Sequence, residues 1–482
     1  MNFFANLLTK NWLVPVLGLA FIFINTLFII AEFYWFGLVS AALLVGLAYV
    51  YTPDKLLIFI SFLTPLAINL SSFDLQIGLS IPTEPLLAIF VVLIVADFLY
   101  NNKFDSRLLL HPLSIAIYFY FVWMIITVIT SELPIISLKW LAARIWFFVP
   151  VYFFGSHIFR NPKNIWYFVN AYVAGFVIVI IYTLIHHAMN NFTSLSGHWV
   201  MTPFFNDHTS YGALLAMFIP YLTGALFIKE IKSNLKLLLF ALLGLFLVAI
   251  VLSISRAAWA SVLFALGLWF LIYFKIKFKW ILSGAVILLF VFFANQAQIM
   301  IRLEKNKQDA KGGLKEHVES VSNVATDASN LERINRWKSA LRMFRDRPLT
   351  GWGPGTYQFI YAPYQRSFEK TVISVNTGTQ GTAHSEYLLI LSEQGLPGLL
   401  SLILIFGFII SVAVRNHHLL KNHKLRMLNL TLLLGLSTYL AHAVFNNFLD
   451  TDKAAIPFWG FVAAITSLSV YSREIPETDK LD

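Results

Sequence analysis

The sequence predicts an all-α, polytopic membrane protein, and three observations carry that reading. Of its 482 residues, 58% are hydrophobic and only 12% are charged, about half the charged share of a soluble domain. The mean hydropathy is +0.72 and Phe alone contributes 45 residues, more apolar surface than a soluble globule could bury. The apolar residues also fall in runs of about 20, the length of a membrane-crossing helix. A barrel would show alternating segments of about ten instead. A soluble enzyme, a disordered chain and a coiled coil are thereby excluded.

In chain order the runs are 13–30, 34–51, 55–70, 84–100, 112–130, 140–159, 165–187, 209–228, 236–254, 257–274, 280–298, 386–413, 427–446 and 455–471. The first two could form one hairpin, and 55–70 is short for a span. The N-terminal run follows Lys10 with no small-residue cleavage site, so it reads as a first membrane helix rather than a removed signal peptide.

Charge sets the expected orientation. With the N-terminus inside and the runs alternating, eighteen Lys and Arg fall in inside loops, among them Lys103, Arg107, Arg160, Lys163, Lys275 and Lys279. Only Lys139, Arg144, Arg256 and Lys453 fall in short outside loops. This is the positive-inside bias, with both termini cytoplasmic. The net charge of +10 is thus a topology signal, and no nucleic acid is needed to explain it.

Residues 299–385 break the pattern. They are polar, lack a spanning run and fall outside, so three parts are expected: helices over 1–298, a loop module over 299–385, and helices with a short cytoplasmic tail over 386–482. The first half of the loop reads as mobile or loosely helical. In its second half, Leu331, Ile334, Trp337, Leu341 and Phe344 recur at helical spacing, which predicts an amphipathic helix with that apolar stripe inward. On it Arg333 flanks the stripe and Arg336 points further toward solvent. Pro348 ends the helix, and Gly-Trp-Gly-Pro-Gly follows as a tight turn.

The outside face carries the candidate chemistry. Arg256, in SISRAAWA, sits between two runs with almost no loop. An arginine at a bilayer boundary either snorkels or clamps an anion, its planar fork matching phosphate oxygens. Arg144 is embedded in an apolar run, where a functional charge and a buried structural pair both fit; Lys139, one turn earlier, is interfacial. His384, in GTAHSEYLLI, stands where the loop re-enters the membrane and could take a proton from a hydroxyl. His208, beside Asn206 and Asp207, is a second candidate of that kind. The glycine-rich turn lacks the Lys-Ser/Thr ending of a nucleotide-binding loop. Asp450 and Asp452 could hold a divalent metal, but such a pair is common by chance. There is no Cys, which excludes thiol and iron–sulfur chemistry. No metal site and no cofactor are expected.

These outside pieces, in order, resemble the O-antigen ligase and O-antigen polymerase superfamily: SRAAWA at a helix junction, then RINRW with RPLTGWGPGTY, then AHSEYLLILSEQGLPGLL. The resemblance covers roughly residues 200–410. It departs from the family's usual His-Asn in having Ser385 after His384. It implies a fold similar to GT-C type glycosyltransferases, with about 12–14 helices and one long periplasmic loop containing short helices. It also implies an inner-membrane enzyme moving a glycan from an undecaprenyl diphosphate carrier to an acceptor hydroxyl at the periplasmic face. Carried over by motif, the catalytic residues are Arg256, Arg333 (four before Trp337) and His384. Arg336, Arg144, Lys139 and His208 are candidates for contacting substrate. Two arginines on a lipid diphosphate could stabilise the charge that develops as the glycosidic bond breaks, without a metal and with inversion. The expected acceptor is lipid A–core. Joining of lipid-linked repeat units, transfer to protein hydroxyls, and transport of a lipid-linked substrate are the alternatives. Transport fits least, because the sequence shows no internal repeat.

Overall fold

The computed structural model describes residues 13–31, 36–70, 78–101, 105–276, 328–371 and 381–472, with single positions between 279 and 295 and at 374 and 474. Helices dominate: α1 Leu13–Ile30, α2 Phe36–Tyr51, α3 Pro53–Leu63, α4 Thr83–Asn101, α5 Pro112–Ile129, α6 Pro134–Phe147, α7 Pro162–Met189, α8 His208–Leu226, α9 Ser233–Leu252, α10 Arg256–Tyr273, α11 Ala328–Asp346, α12 Glu386–Leu419, α13 His423–His442 and α14 Asp452–Tyr471. The described strands are one antiparallel pair, β1 Ile68–Asn69 and β2 Ser80–Ile81. The protein is an all-α, multi-pass membrane protein. Among the described residues nine helices are long and apolar enough to cross a bilayer: α4, α5, α6 with its continuation to Ile158, α7, α8, α9, α10, α12 and α14.

These nine fall where nine of the fourteen apolar runs lie; three runs, one of them among the nine, came out differently from expectation. The run 55–70 does not continue as a span: α3 stops at Leu63, and Thr64–Leu66 tightens into a 3-10 turn ahead of β1. The run 427–446 becomes α13, long enough at 20 residues but with Asn429, Thr431, Ser437 and Thr438 buried among its leucines. The run 386–413 extends to Leu419 and is broken at Gly395, whose φ of 69° is non-helical. Part of 280–298, and all of 299–327, lie outside the described residues.

Burial orders the bundle. α14 is its centre, with 89% of its apolar window buried, whereas the figure for α10 is 17%. α10 packs on α13 and α8 and turns Leu263, Phe264 and Leu266 outward, where lipid tails can cover them. Helix ends gather at two faces. At one, Glu474 pairs with Arg107 at 2.6 Å and Arg160 at 3.1 Å, and Tyr471 donates to Asp105. At the other, the Lys453 ammonium donates to the carbonyls of Thr64, Pro65 and Ala67, and Thr83 bonds Asp452. The loop module docks on this second face.

Candidate active site

The glycine turn fastens the loop to the bundle. Gly353 has φ +106°, and a Cβ there would collide with Ser131 and Ser137 of the α5–α6 hairpin; only glycine reaches both the angle and the contact. The Trp352 amide donates to Ser392 O and the Gly353 amide to Glu393 O, while Trp352 O accepts from Glu132 N. The Glu393 side chain, 1% exposed, accepts from the amides of Gly355 (2.9 Å) and Tyr357 (2.8 Å). The break at Gly395 admits this packing, because the Leu349 carbonyl occupies the space a Cβ would need. The turn is thus held between the α5–α6 hairpin and the break in α12.

Tyr357 carries that order to the loop helix. Its hydroxyl donates to the carbonyl of Arg336 at 2.9 Å. The Arg336 guanidinium bonds Glu332 at 2.9 Å and the Thr382 carbonyl at 3.1 Å, and lies over the Tyr361 ring. Burial opposes ionisation of Glu332, but the Ser374 and Thr371 hydroxyls and Arg336 outweigh it and hold its carboxyl below the usual range. α11 forms where the spacing predicts and ends before Pro348, but the predicted orientation needs correcting. Its buried face is Glu332, Asn335, Arg336, Ser339, Ala340 and Met343, and Leu341 of the expected stripe is 40% exposed. Arg336 therefore points inward, at 6% exposure, and not toward solvent. An i,i+4 ion pair with further hydroxyl partners makes that polar face buriable.

His384 follows directly. Its backbone is left-handed, φ 47°, a conformation uncommon for residues with a side chain and most tolerated by Asn, Asp and His. Its carbonyl accepts from Trp337 Nε1 at 3.2 Å and its amide donates to Thr382 Oγ1. Ser385 then caps α12. Burial first, then the positive charges of Arg336 and Arg333, push the imidazole down to about 4, against smaller opposing pulls from Asp207 and Glu332.

Arg256 is the first residue of α10, after a three-residue turn in which Ile254 is also left-handed, φ 54°. Strain of this kind in a β-branched residue persists only where packing enforces it. Gly212 of α8 presses on Ser253 and Ser255 here. His442, buried at the end of α13 and bonded to Asn446 at 3.0 Å, feels the Ala257 backbone, Asp207 and Arg333. His384, Arg333, Asp207, His442 and the start of the Arg256 helix thus share one neighbourhood. Asp207 caps α8 by accepting from Thr209 and Ser210 at 2.8 Å. His208 lies beside it, 3.2 Å from His198.

Arg144 is placed differently. It is buried, bonds the Leu449 carbonyl and pairs with Asp450. Lys139 lies exposed on α6. Asp452 is engaged by Thr83 and by the Lys453 amide, and no group of three metal-ligating side chains occurs among the described residues. Sequence reasoning passed over Glu393 and His442. A carboxylate inside the apolar run 386–413, one of two with Glu386 at its start, was the available signal for Glu393.

Residues 239–403 match a family model described as O-antigen ligase. The match contains Arg256, α11, the glycine turn and His384. No curated protein matches the chain.

Proposed function

We propose, from the O-antigen ligase superfamily to which residues 239–403 relate this protein, a glycosyltransferase of ligase or polymerase type that moves a glycan from a polyprenyl diphosphate to a sugar hydroxyl at the face bearing the loop module. The observation that carries the reading is the convergence of Arg333, His384 and the start of the Arg256 helix on one side of the bundle. The donor is read as undecaprenyl-diphosphate-linked glycan, the acceptor as lipid A–core, the membrane as the inner membrane and the loop face as periplasmic.

In this reading Arg256 and Arg333 bind the diphosphate oxygens. His384 takes the proton of the acceptor hydroxyl as its oxygen attacks the anomeric carbon from the side opposite the leaving group. The glycosidic C–O bond breaks, its electron pair leaves with the lipid diphosphate, and the anomeric centre inverts. Donor binding also strengthens the base. Arg336 and Arg333 both depress the His384 pKa; the diphosphate neutralises the Arg333 share, so the imidazole becomes more basic when the carrier is in place. The activated diphosphate and two guanidinium groups supply the electrostatics, so no metal is required.

Deletion of the gene, with lipopolysaccharide resolved by size, tests the assignment. Loss of every O-antigen band with accumulation of lipid-linked polymer supports the ligase. A core capped by a single repeat unit would mean polymerase, and an unchanged ladder with a missing glycoprotein would mean transfer to protein.

A further inference from the structure

α11 carries a second cationic surface, turned away from the first. Lys338, Leu341, Arg342 and Arg345 recur at i, i+3, i+4 and i+7, one face of a helix. At 100° per residue that face lies roughly 150° from the buried one that packs toward α12, so it looks away from the bundle. With Arg366 and Glu369 it lines a cavity of about 200 Å³. Four cations face one carboxylate there. Glu369 is already engaged by Lys338 at 3.2 Å and by Arg342, and burial does not keep its carboxyl from falling below the usual range, because those bonds outweigh it. Arg345 and Arg366 are exposed and form no ion pair among the described residues. Phe368, 74% exposed, lies 6.0 Å from the Arg366 guanidinium.

We infer that this cavity is a binding site for an anionic glycan, with Arg345 and Arg366 taking a phosphate or carboxylate on the sugar and the Phe368 ring covering its apolar face. Guanidinium forks suit oxyanions, and a sugar ring suits a flat exposed aromatic. The cavity's direction, away from the membrane-crossing helices, favours a water-borne glycan over a lipid headgroup. Its use for the acceptor rests on the transferase reading; the binding itself does not.

Full-length protein in neutral-lipid nanodiscs would be titrated with glucose 6-phosphate, glucose and inorganic phosphate, and mixed with phosphatidylglycerol vesicles. Glucose 6-phosphate should bind at least tenfold tighter than either glucose or inorganic phosphate. The Arg345→Gln/Arg366→Gln double variant should weaken that binding at least tenfold with an unchanged melting temperature, and the corresponding Lys variant should lose less. His384→Ala should bind the sugar phosphate like the wild type. With an anionic acceptor, the Gln double variant should raise KM about tenfold and leave kcat within about twofold. Equal binding of glucose, equal binding of inorganic phosphate, wild-type affinity in the Gln variant, or capture of the vesicles without binding of the soluble sugar would each overturn the site. Absence of all transfer by the wild type would instead defeat the transferase reading and leave the binding result standing.

Discussion

At the scale of single residues, His384 gives the sharpest expectation. An imidazole depressed to about 4 is neutral, and so available as a base, throughout the neutral range. In kcat/KM, which reports the free enzyme, the acidic limb attributable to His384 should therefore have its midpoint near pH 4, well below the 6.5 of an unperturbed histidine. A limb near 6.5 would mean that the burial and the arginine charge do not act on the working protein. Arg256→Lys keeps the charge but loses the fork, and should reduce transfer by about tenfold or more; wild-type rates in Arg256→Ala would return this residue to an ordinary helix-end charge. The two loop arginines should separate by kind of damage. Arg336→Ala leaves Glu332 buried without its partner, a loss of about 3 kcal/mol or more, and should appear as lowered thermal stability. Arg333→Ala should keep the wild-type melting temperature and lose transfer. If Arg336→Ala melts like the wild type and only its kcat falls, the assignments must be exchanged. Sequence made the residue types and the Arg-x-x-x-Trp spacing legible. It misplaced Arg336 because hydropathy ranks Leu331 and Ile334 above a guanidinium, whereas Glu332, Thr382 and Tyr361 together satisfy that guanidinium in the interior.

Among the elements, the glycine turn, the α11 helix and its stop at Pro348 were all readable, since glycine, proline and helical spacing are local signals. The break in α12 was not: Gly395 lies inside a long apolar run, and only the approach of the Leu349 carbonyl makes its conformation necessary. The partner of the turn is likewise a long-range fact, because 38 positions separate Gly355 from Glu393. Gly353→Ala should disrupt docking of the loop, lowering the melting temperature by several degrees and exposing 350–371 to limited proteolysis. A protease pattern like that of the wild type would show that Ser131 and Ser137 yield to the added methyl. Glu393→Ala leaves two buried amides without an acceptor, at about 1–3 kcal/mol each, and should reproduce the same pattern.

Over the whole molecule, hydropathy located the spans well because lipid selects for length and apolarity. It could not rank them by depth in the bundle. α13 and α14 are the most enclosed of the C-terminal helices, yet α14 reads like the lipid-facing helices in composition. Enclosure comes from which neighbours surround a helix, which no window on one sequence contains. The charge asymmetry predicts an orientation with both termini cytoplasmic. Reporter fusions after Lys279 and within 310–330 should report opposite sides, inside and outside respectively, and the same side at both would refute the topology. Transfer by purified protein should persist in EDTA. Abolition by EDTA with rescue by magnesium or manganese would move attention to Asp450 and Asp452, which would then have to leave Arg144, Thr83 and the Lys453 amide.

The break at Gly395 also fixes how much chain can be added or removed. Glu386 is pinned at one end by its amide to the Ala443 carbonyl, and Leu396 at the other by its amide to Pro348 O. Between them lie nine residues, 387–395, with no slack. One residue inserted or deleted there rotates everything beyond it by about 100°, swinging Glu393 off the turn or His384 off Trp337. The number of residues between His384 and Gly395 is therefore fixed by the two anchors, and a change of one should abolish function even though it removes no functional side chain.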